Sequence, residues 1–392
     1  MTEPAAPLRS LVRAVEETQP LAPEWRAAFL ATQRHLFIPD TVWLRDPDAT
    51  TVHDLVPLHR AAAPDRWLEL AYADDSIVTQ VDDGRATGPD GAGYAVSSSA
   101  SQPSVVAMML AAAGFEDGMT VCEIGTGTGY NAALLGCRLG DRNVTTIEID
   151  PELASRARNA LGRAGHQIAV VTGDGALGHP PRAPYDRVLA TCAVHRVPYR
   201  WVAQSSPGGR IVTPWGTSYF NGGLLSLSVD SDGTAHGRLT DTAAFMWIRD
   251  QRLPRVTVGE CVHHEEDATT TYTDLHPSRV IGEQSAAVAI GLQVPNCKTV
   301  YSPAGDGSGE YTLWLLDQVS RSWASVDYQP GATAHRVDQL GPRLLWNEVD
   351  AAYRRWREVG SPGTGQWHFT ITPDGQRVAL AESGRADRRA WG

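Results

Sequence analysis

Three glycines follow a short apolar strand at the point of this 392-residue chain most suited to chemistry. The stretch Val121-Cys-Glu-Ile-Gly-Thr-Gly-Thr-Gly-Tyr130 carries them on alternate positions. Alternate glycines let the backbone approach a ligand closely and adopt torsion angles that a Cβ forbids. A helix predicted over residues 130–139 points its free amide groups at the same place. The pattern therefore predicts a loop that binds a nucleotide-like cofactor.

The spacing of the glycines separates two classes of cofactor. Dinucleotide folds use G-x-G-x-x-G, whose third glycine permits close packing of helix on strand. Here the run is G-x-G-x-G, with Glu123 two positions before the first glycine. E-x-G-x-G-x-G resembles motif I of the Rossmann-like methyltransferases, which implies S-adenosylmethionine (SAM) as cofactor and S-adenosylhomocysteine as product. For the loop taken alone, an ordinary strand-to-helix turn is the alternative.

Two acidic loops follow at distances that suit the same cofactor. Residues 143–149 indicate a second buried strand ending in Glu148, about twenty residues after the glycine loop, where a carboxylate can accept from ribose hydroxyls. Asp150 starts a helix and is assigned mainly to capping. Gly173-Asp174-Gly175 resembles the methyltransferase loop whose aspartate accepts from the adenine amino group, and a plain turn is its alternative. The predicted cofactor-binding residues are Glu123, Gly125, Thr126, Gly127, Gly129, Tyr130, Glu148, Gly173, Asp174 and Gly175.

Strand and helix patterns alternate around these loops, which favours a parallel sheet covered on both faces. Further strands are predicted at 168–172 and 186–191, and a turn at 207–209 leads into a fifth. The predicted fold class is α/β: a Rossmann-like class I SAM-dependent methyltransferase with an N-terminal extension and an additional C-terminal α+β domain. The predicted divisions are a helical and mixed segment at 1–90, the SAM-binding core at 91–217, and a C-terminal domain for peptide recognition at 218–392.

The regions outside the core have weaker patterns. One helical segment is predicted from about Leu8 to Thr32. Residues 82–93 are polar and glycine-rich and predict a mobile loop, either a lid over the substrate or a surface loop. Beyond 218, alternation predicts strands at 224–229 and 311–316, a helix at about 344–359 and a hairpin at about 367–380.

The order of motifs resembles one methyltransferase family in particular. E-I-G-T-G-T-G-Y, I-E-I-D-P-E-L, G-D-G, P-Y-D-R-V-L-A-T and P-G-G-R-I-V-T-P-W-G occur in the sequence order of the protein-L-isoaspartate O-methyltransferases. The resemblance covers residues 71–216, little more than a third of the chain. It implies transfer of a methyl group from SAM to a protein or peptide carboxyl group.

A serine-rich stretch stands where this family carries its T-I-S-x-P substrate motif. By position, Ser101 corresponds to the family's serine near the substrate carboxyl group, and Ser99 to the threonine before it. The chain departs from the motif, because the run is Ser97-Ser-Ser-Ala-Ser. Helix capping is the alternative for the serines other than Ser101. The predicted catalytic residues are Ser101, Ser99 and Gln102.

The chemistry requires positioning more than acid–base catalysis. Methyl transfer from a sulfonium to oxygen is an in-line displacement, and an aspartate carboxylate is already ionised at neutral pH, so no general base is needed. Hydroxyl and amide donors can hold one carboxylate oxygen and leave the other in line with the methyl group.

Three stretches outside the shared motifs are Arg34-His-Leu-Phe-Ile-Pro-Asp40, Trp346-Asn-Glu-Val-Asp-Ala-Ala-Tyr-Arg-Arg-Trp356 and Thr370-Ile-Thr-Pro-Asp-Gly-Gln-Arg-Val-Ala379. Together with the S-x-S-Q-P form, they resemble the actinobacterial branch of the family associated with lanthipeptide and graspetide biosynthesis. This branch implies an aspartate side chain in a ribosomally made precursor peptide as substrate, whose methyl ester then closes to an aspartimide. Repair of isoaspartate in damaged proteins is the first alternative. A noncatalytic peptide-binding protein with a relic SAM fold is the second, and the intact acidic residues of the cofactor loops argue against it. A nicotinamide oxidoreductase fails on glycine spacing.

Composition restricts the partners. The chain has 34 basic and 45 acidic residues, and its formal net charge of −11 disfavours nucleic acid and anionic membranes. No apolar run approaches membrane length and no signal-peptide pattern is present, so a cytoplasmic location is predicted. Five scattered cysteines predict reduced thiols and no metal site, and His263-His-Glu-Glu266 is assigned to a solvated loop. The oligomeric state is not readable from the sequence.

Overall fold

The N-terminal part contains two helices where the sequence predicted one continuous segment. The computed structural model describes residues 6–49, 53–255, 257–262 and 264–380. Helix α1 spans Ala6–Thr18 and helix α2 spans Pro23–Ala31. The helical path is interrupted because Pro20 has no amide hydrogen, whereas a proline at position 23 suits the first turn of a new helix.

A four-stranded antiparallel sheet follows these helices. Its strands and one helix are, in chain order, β1 (Thr41–Arg45), β2 (Leu55–His59), α3 (Pro64–Ala71), β3 (Ile77–Val81) and β4 (Val96–Ala100). The spatial order is β2-β1-β3-β4, which places β4 at an edge. The serine-rich stretch therefore lies on an edge strand.

The central elements alternate as the sequence predicted. They are α4 (Pro103–Ala113), β5 (Val121–Ile124), α5 (Tyr130–Leu139), β6 (Val144–Glu148), α6 (Pro151–Arg163), β7 (Ala169–Thr172), β8 (Tyr185–Ala190), α7 (Tyr199–Ala203) and β9 (Ser205–Gly216). The five strands pair in parallel in the order β9-β8-β5-β6-β7. The chain changes direction across the sheet between β5 and β8, and open α/β sheets bind ligands at such a switch point, beyond the carboxyl ends of the strands.

The C-terminal region is rich in β-structure, in agreement with the predicted α+β extension. Its elements are β10 (Asn221–Val229), β11 (Ala235–Thr242), α8 (Val258–Cys261), β12 (Thr269–Thr273), α9 (Ser278–Ile281), α10 (Gln284–Gln293), β13 (Lys298–Pro303), β14 (Tyr311–Asp317), β15 (Ser322–Tyr328), β16 (His335–Leu340), α11 (Leu345–Glu358), β17 (Trp367–Thr372) and β18 (Gly375–Leu380). The predicted strands at 224–229 and 311–316, the helix at 344–359 and the terminal hairpin are all present.

The central sheet continues without a break into this region. Strands β10, β11, β17 and β18 add to β9 in antiparallel pairs and complete a nine-stranded sheet. A separate five-stranded sheet has the order β12-β16-β15-β14-β13. One cluster of buried side chains includes Ile124 of β5, Leu313 of β14 and Phe369 of β17, so the catalytic and C-terminal regions share a core.

Both predicted division points fall inside this hydrogen-bonded framework. Residue 90 lies in the loop between the paired strands β3 and β4. Residue 217 lies between β9 and β10, which pair from Gly216 and Asn221 onward. The sequence patterns predicted loops at these points, and both points lie in loops. Within the described part of the chain, no helix is long and apolar enough to cross a membrane.

Candidate active site

A cavity lies beyond the carboxyl ends of the central strands, at the switch point between β5 and β8. Together with the open solvent at its mouth, this space measures about 950 Å³. One wall is the glycine loop, a second is the edge strand β4 with its serines, and a third is a segment from beyond β11. The predicted site residues that line it are Ser99, Ser101, Glu123, Gly125, Thr126, Gly127, Tyr130, Glu148 and Gly175.

The glycine loop has the backbone conformation that its composition predicted. Gly125, Gly127 and Gly129 have φ angles of 92°, 53° and 87°, in the left-handed region that favours glycine. A Cβ at position 125 would lie 2.9 Å from the Thr191 Oγ1 atom. The Thr191 hydroxyl donates to the Gly125 carbonyl at 2.6 Å. The loop is thus held against the end of β8, and a side chain at position 125 would collide with Thr191.

Glu148 is buried at the end of β6 and holds this loop. Its Oε2 atom accepts from the Gly127 amide at 2.8 Å, and its Oε1 atom accepts from the Asp150 amide at 3.1 Å. Burial raises the pKa of Glu148 above its ordinary value, against the lowering effect of these two amides. Each carboxylate oxygen has lone pairs to accept a second donor, such as a ribose hydroxyl.

Asp150 has the capping role that the sequence predicted. Its carboxylate accepts from the Glu152 and Leu153 amides at the start of α6. The other oxygen accepts from Gln80 at 3.2 Å and from Arg249 at 3.0 Å. Asp150 therefore ties the cofactor region to β3 and to the segment beyond β11.

Glu123 and Asn131 supply the test of whether the cavity suits SAM. The Asn131 Nδ2 atom donates to the Glu123 Oε1 atom at 2.7 Å, while the Glu123 Oε2 atom and the Asn131 Oδ1 atom are buried without a donor in the described part of the chain. Burial raises the pKa of Glu123 to about 7. Unpaired buried acceptors are costly, and a ligand ammonium group would supply donors and a compensating charge. The amino-acid end of SAM carries such a group, so the residues fit this cofactor.

The loop Gly173-Asp174-Gly175, predicted to bind adenine, contributes only Gly175 to the cavity lining. Gly175 is buried in the cavity wall, where a Cβ would lie 2.5 Å from the Ile124 Cγ2 atom. Asp174 does not line the cavity; its Oδ1 atom accepts from the Ala176 amide at 2.9 Å. Gly173 and Gly129 also lie outside the lining, although the Gly173 amide donates to the Glu148 carbonyl.

The serines of the edge strand differ in their hydrogen bonds. The Ser97 hydroxyl donates to Gln80 at 2.9 Å, and the Ser98 hydroxyl accepts from Thr79 at 3.2 Å. The hydroxyls of Ser99 and Ser101 have no partner among the described residues, and both residues line the cavity. Two uncommitted hydroxyls thus stand beside the glycine loop, where they are available to a substrate carboxylate.

Gln102 lies outside the cavity lining, whereas Tyr130 is part of it. The Gln102 Nε2 atom donates to Asp74 at 3.4 Å, and the residue does not line the cavity. We therefore do not carry Gln102 into the proposed site. Tyr130 is buried, with its ring against Phe29 and Phe37, so it serves mainly as core.

Sequence reasoning missed a buried arginine that organises the substrate side. Arg34 is fully buried, and its guanidinium donates to the carbonyls of Ala73, Asp75 and Ser101 at 2.8, 2.9 and 3.1 Å. Burial lowers the pKa of Arg34 from its ordinary value. These hydrogen bonds tie the backbone at Ser101, just after β4, to the residues between α3 and β3. A basic residue within the apolar stretch Arg34-His-Leu-Phe-Ile was the signal available.

The sequence also did not reveal the third wall. Met246, Trp247, Ile248, Arg249 and Arg252 line the cavity. Backbone hydrogen bonds link this segment to the residues after β8: the Ala193 amide donates to the Met246 carbonyl at 2.7 Å, and the Ile248 amide donates to the Ala193 carbonyl at 2.9 Å. We call residues 246–252 the covering segment. No local motif marks it, because its role depends on residues about fifty positions earlier.

The loop between β3 and β4, predicted to be a mobile lid or a surface loop, makes several hydrogen bonds to its neighbours. The Asp82 carboxylate accepts from the amides of Tyr94 and Ala95. Asp83 accepts two hydrogen bonds from Arg252, at 2.8 and 3.0 Å. The covering segment and this loop therefore meet across the mouth of the cavity.

A parallel sheet with a glycine loop, an acidic residue at the end of the next strand and a cavity at the switch point define a class I SAM-dependent methyltransferase. Comparison with known proteins narrows the class. The profile of the protein-L-isoaspartate(D-aspartate) O-methyltransferases matches residues 69–251. The chain belongs to this family. It is a SAM-dependent carboxyl methyltransferase.

Named relatives agree with this assignment. A protein-L-isoaspartate O-methyltransferase of Hyperthermus butylicus is 34% identical over 218 residues, which are 53% of this chain and 80% of the relative. One from Anaeromyxobacter dehalogenans is 39% identical over 189 residues, 47% of this chain and 82% of the relative. A solved protein-L-isoaspartate O-methyltransferase aligns with a TM-score of 0.54 and 18% identity over 96% of this chain and 100% of its own, which indicates a shared fold.

Proposed function

We propose that this enzyme methylates the free α-carboxyl group of isoaspartyl residues in proteins and peptides. The observation that carries the proposal is the pair of uncommitted hydroxyls of Ser99 and Ser101 in the wall of a SAM cavity, in a chain of the isoaspartate methyltransferase family. A relative named for this activity is 34% identical to the chain over 218 residues.

The chain's own groups position the acceptor. The Ser99 and Ser101 hydroxyls donate to one carboxylate oxygen and leave the other free to attack. Arg34 keeps the backbone at Ser101 in place. SAM supplies the activated methyl group, and no side chain has to remove a proton, because the carboxylate is ionised at neutral pH. The arginines at the mouth are paired with Asp83 and Asp150.

The C-terminal region does not require a dedicated precursor peptide. The sequence suggested a specialised maturation enzyme because the chain extends far beyond the core. However, the solved protein-L-isoaspartate O-methyltransferase aligns over 96% of this chain, so a protein with that name has a similar fold that includes the C-terminal region. We retain methylation of an aspartate side chain in a precursor peptide, with later closure to an aspartimide, as the alternative. Cytosolic location is part of the proposal, since the five thiols are free.

The test compares two peptides of one sequence, one with isoaspartate and one with aspartate. The purified enzyme is incubated with SAM, and intact-mass spectrometry detects the added methyl group. We expect methylation of the isoaspartyl peptide alone, and in several unrelated sequences. Preference for the aspartyl form in one precursor peptide, followed by loss of methanol, would establish the alternative. SAM binding without transfer to any peptide would favour a noncatalytic relic.

A further inference from the structure

A second cluster of reactive groups lies outside the cofactor cavity, on the outer side of α5. Cys137 is exposed near the end of this helix, and its Sγ atom lies 3.8 Å from the His166 Nε2 atom. The His166 Nδ1 atom lies 2.8 Å from the Asp141 Oδ1 atom. None of these three residues lines the cavity. A thiol, an imidazole and a carboxylate in this order form the arrangement that activates nucleophilic cysteines.

Neighbouring residues hold the side chains of Cys137, His166 and Asp141 in these positions. The second Asp141 oxygen accepts from the Gln167 amide at 2.6 Å, so the carboxylate is held beside the imidazole. Residue 136 is a glycine, and a Cβ there would lie 2.6 Å from the Asp141 Oδ1 atom and 3.1 Å from the His166 Nδ1 atom. Thr32 approaches the thiol from α2, with 3.5 Å between its Oγ1 atom and the Cys137 Sγ atom. The missing side chain at 136 makes room for the pair of His166 and Asp141.

Electrostatics agree with this geometry. Burial and the nearby Asp141 charge oppose ionisation of Cys137, but hydrogen bonding, chiefly with His166, outweighs them and lowers the pKa of the thiol. The hydrogen bond with Cys137, assisted by Asp141, raises the pKa of His166 to about 9. Tyr130, on the same helix, is the other titratable group that interacts with the thiol. The carboxyl end of a helix disfavours negative charge, so the imidazole rather than α5 accounts for the activation.

We propose that Cys137, His166 and Asp141 form a reactive thiol site that exchanges with low-molecular-weight disulfides. This site is independent of methyl transfer. The thiol proton passes from Cys137 to His166, and the thiolate attacks one sulfur of the disulfide. A mixed disulfide forms on Cys137, the disulfide bond of the reagent breaks, and its leaving thiolate takes the proton from His166. Cys137 is oxidised to the disulfide level, and half of the reagent is reduced to a thiol.

The other cysteines provide an internal reference. Cys122, Cys261 and Cys297 are buried, and Cys192 is half-buried in the cavity wall. Burial raises the pKa of all four thiols, which makes them poor nucleophiles. Selective reaction at position 137 is therefore expected in the folded enzyme.

The experiment treats the folded enzyme with oxidised glutathione at pH 7 and follows each cysteine by peptide mass mapping. An ordinary cysteine of pKa about 8.5 is about 3% thiolate at this pH, so full ionisation can accelerate exchange at most about thirtyfold. Lower nucleophilicity of the stabilised thiolate reduces the gain. We expect modification at Cys137 about tenfold faster than in the His166→Asn variant, with Asp141→Asn between them and no modification at that position in Cys137→Ser.

Circular dichroism and methyl transfer verify that the variants are folded. The pH profile of alkylation by iodoacetamide gives a second readout, because its midpoint should lie below the ordinary cysteine value in the wild type and move up in His166→Asn. Equal rates and equal midpoints in the wild type and a folded His166→Asn variant would overturn the proposal. Preferential modification of Cys192 would overturn it as well.

Discussion

Three acidic residues near the cavity have different tasks because their neighbours differ. Glu123 is buried with one unpaired oxygen. Glu148 accepts from the amides of Gly127 and Asp150 and so holds the glycine loop. Asp150 caps a helix and forms an ion pair with Arg249. Residue type alone does not separate these tasks. Both carboxylate oxygens of Glu148 and of Asp150 accept hydrogen bonds from the protein, whereas one Glu123 oxygen accepts none. A ligand cation is therefore expected to pair with Glu123.

The first prediction at this scale concerns Ser101. Replacement by alanine removes a hydroxyl that we assign to the acceptor carboxylate. A hydrogen bond to a charged group contributes about 1.5–3 kcal/mol, so kcat should fall about tenfold to a hundredfold. Affinity for S-adenosylhomocysteine, measured by calorimetry, should be unchanged. Gln102→Ala is the comparison, and its amide already serves Asp74, so its effect should stay below about threefold. Equal turnover in wild type and Ser101→Ala would remove Ser101 from the site.

The second prediction concerns the pH dependence of cofactor binding. Because burial raises the pKa of Glu123 to about 7, its carboxylate becomes neutral as the pH falls and no longer attracts the ligand ammonium. Affinity for S-adenosylhomocysteine should therefore fall about fivefold from pH 7 to pH 6, a window below the usual α-amino pKa of about 7.7–8.0. Calorimetry measures this change. Glu123→Gln should bind more weakly, with a flat profile over the window; an unchanged slope in that variant would contradict the assignment.

At the scale of elements, the covering segment joins regions that are distant in sequence. It pairs with the end of β8 and, through Arg249 and Arg252, with Asp150 and Asp83. The hydrogen bonds from Arg252 lower the pKa of Asp83, which keeps this carboxylate charged at neutral pH. A polar loop that the sequence marked as mobile is thereby linked to the cofactor wall.

The prediction at this scale is a double-mutant cycle on Asp83 and Arg252. Exposed ion pairs contribute about 0.2–1 kcal/mol, so Arg252→Ala should raise the dissociation constant of S-adenosylhomocysteine by no more than about fivefold. Adding Asp83→Ala should then cost little more, because the Arg252 pair is already broken and only the longer contact of Asp83 with Arg249, at 3.5 Å, is left to lose. Arg66→Ala, which breaks the exposed pair with Glu69 on α3, is the matched control and should have no effect. Additive effects of the two changes would indicate that the pair does not hold the covering segment.

At the scale of the whole molecule, the continuous sheet makes the C-terminal region part of the catalytic core. The ring of Trp215 at the end of β9 meets that of Phe369 in β17, with centroids 4.9 Å apart, and both side chains are almost fully buried. This contact joins the cavity side of the sheet to its far C-terminal strands.

Phe369→Ala tests this coupling. Removal of a buried phenylalanine costs about 3–5 kcal/mol, and the whole chain should lose stability in a single transition, with methyl transfer lost at the same temperature. Thermal unfolding followed by circular dichroism and residual activity measures both. Tyr272→Ala, at a side chain 71% exposed on β12, is the control and should stay within about 0.5 kcal/mol of wild type. Two transitions, with the catalytic one unmoved, would contradict a shared core.

Local sequence patterns were enough to predict the glycine turns and the helix cap around the cavity. Left-handed glycines at 125, 127 and 129, an acidic residue after β6 and the cap at Asp150 follow from backbone torsion and hydrogen bonding over a few residues. The alternation of helices and strands is equally local and predicted the α/β class. The order of the motifs along the chain indicated the protein-L-isoaspartate O-methyltransferase family.

Contacts between residues distant in sequence could not be predicted, because they depend on long-range packing and no local pattern encodes them. The tertiary structure places the covering segment over the cavity through backbone hydrogen bonds to Ala193. It also pairs the Gln102 amide with Asp74 and places His166 beside Cys137. It also joined the C-terminal strands to the central sheet across the predicted boundary. Partners tens of residues apart meet only once apolar faces are buried together, so their identity belongs to the fold rather than to any single segment.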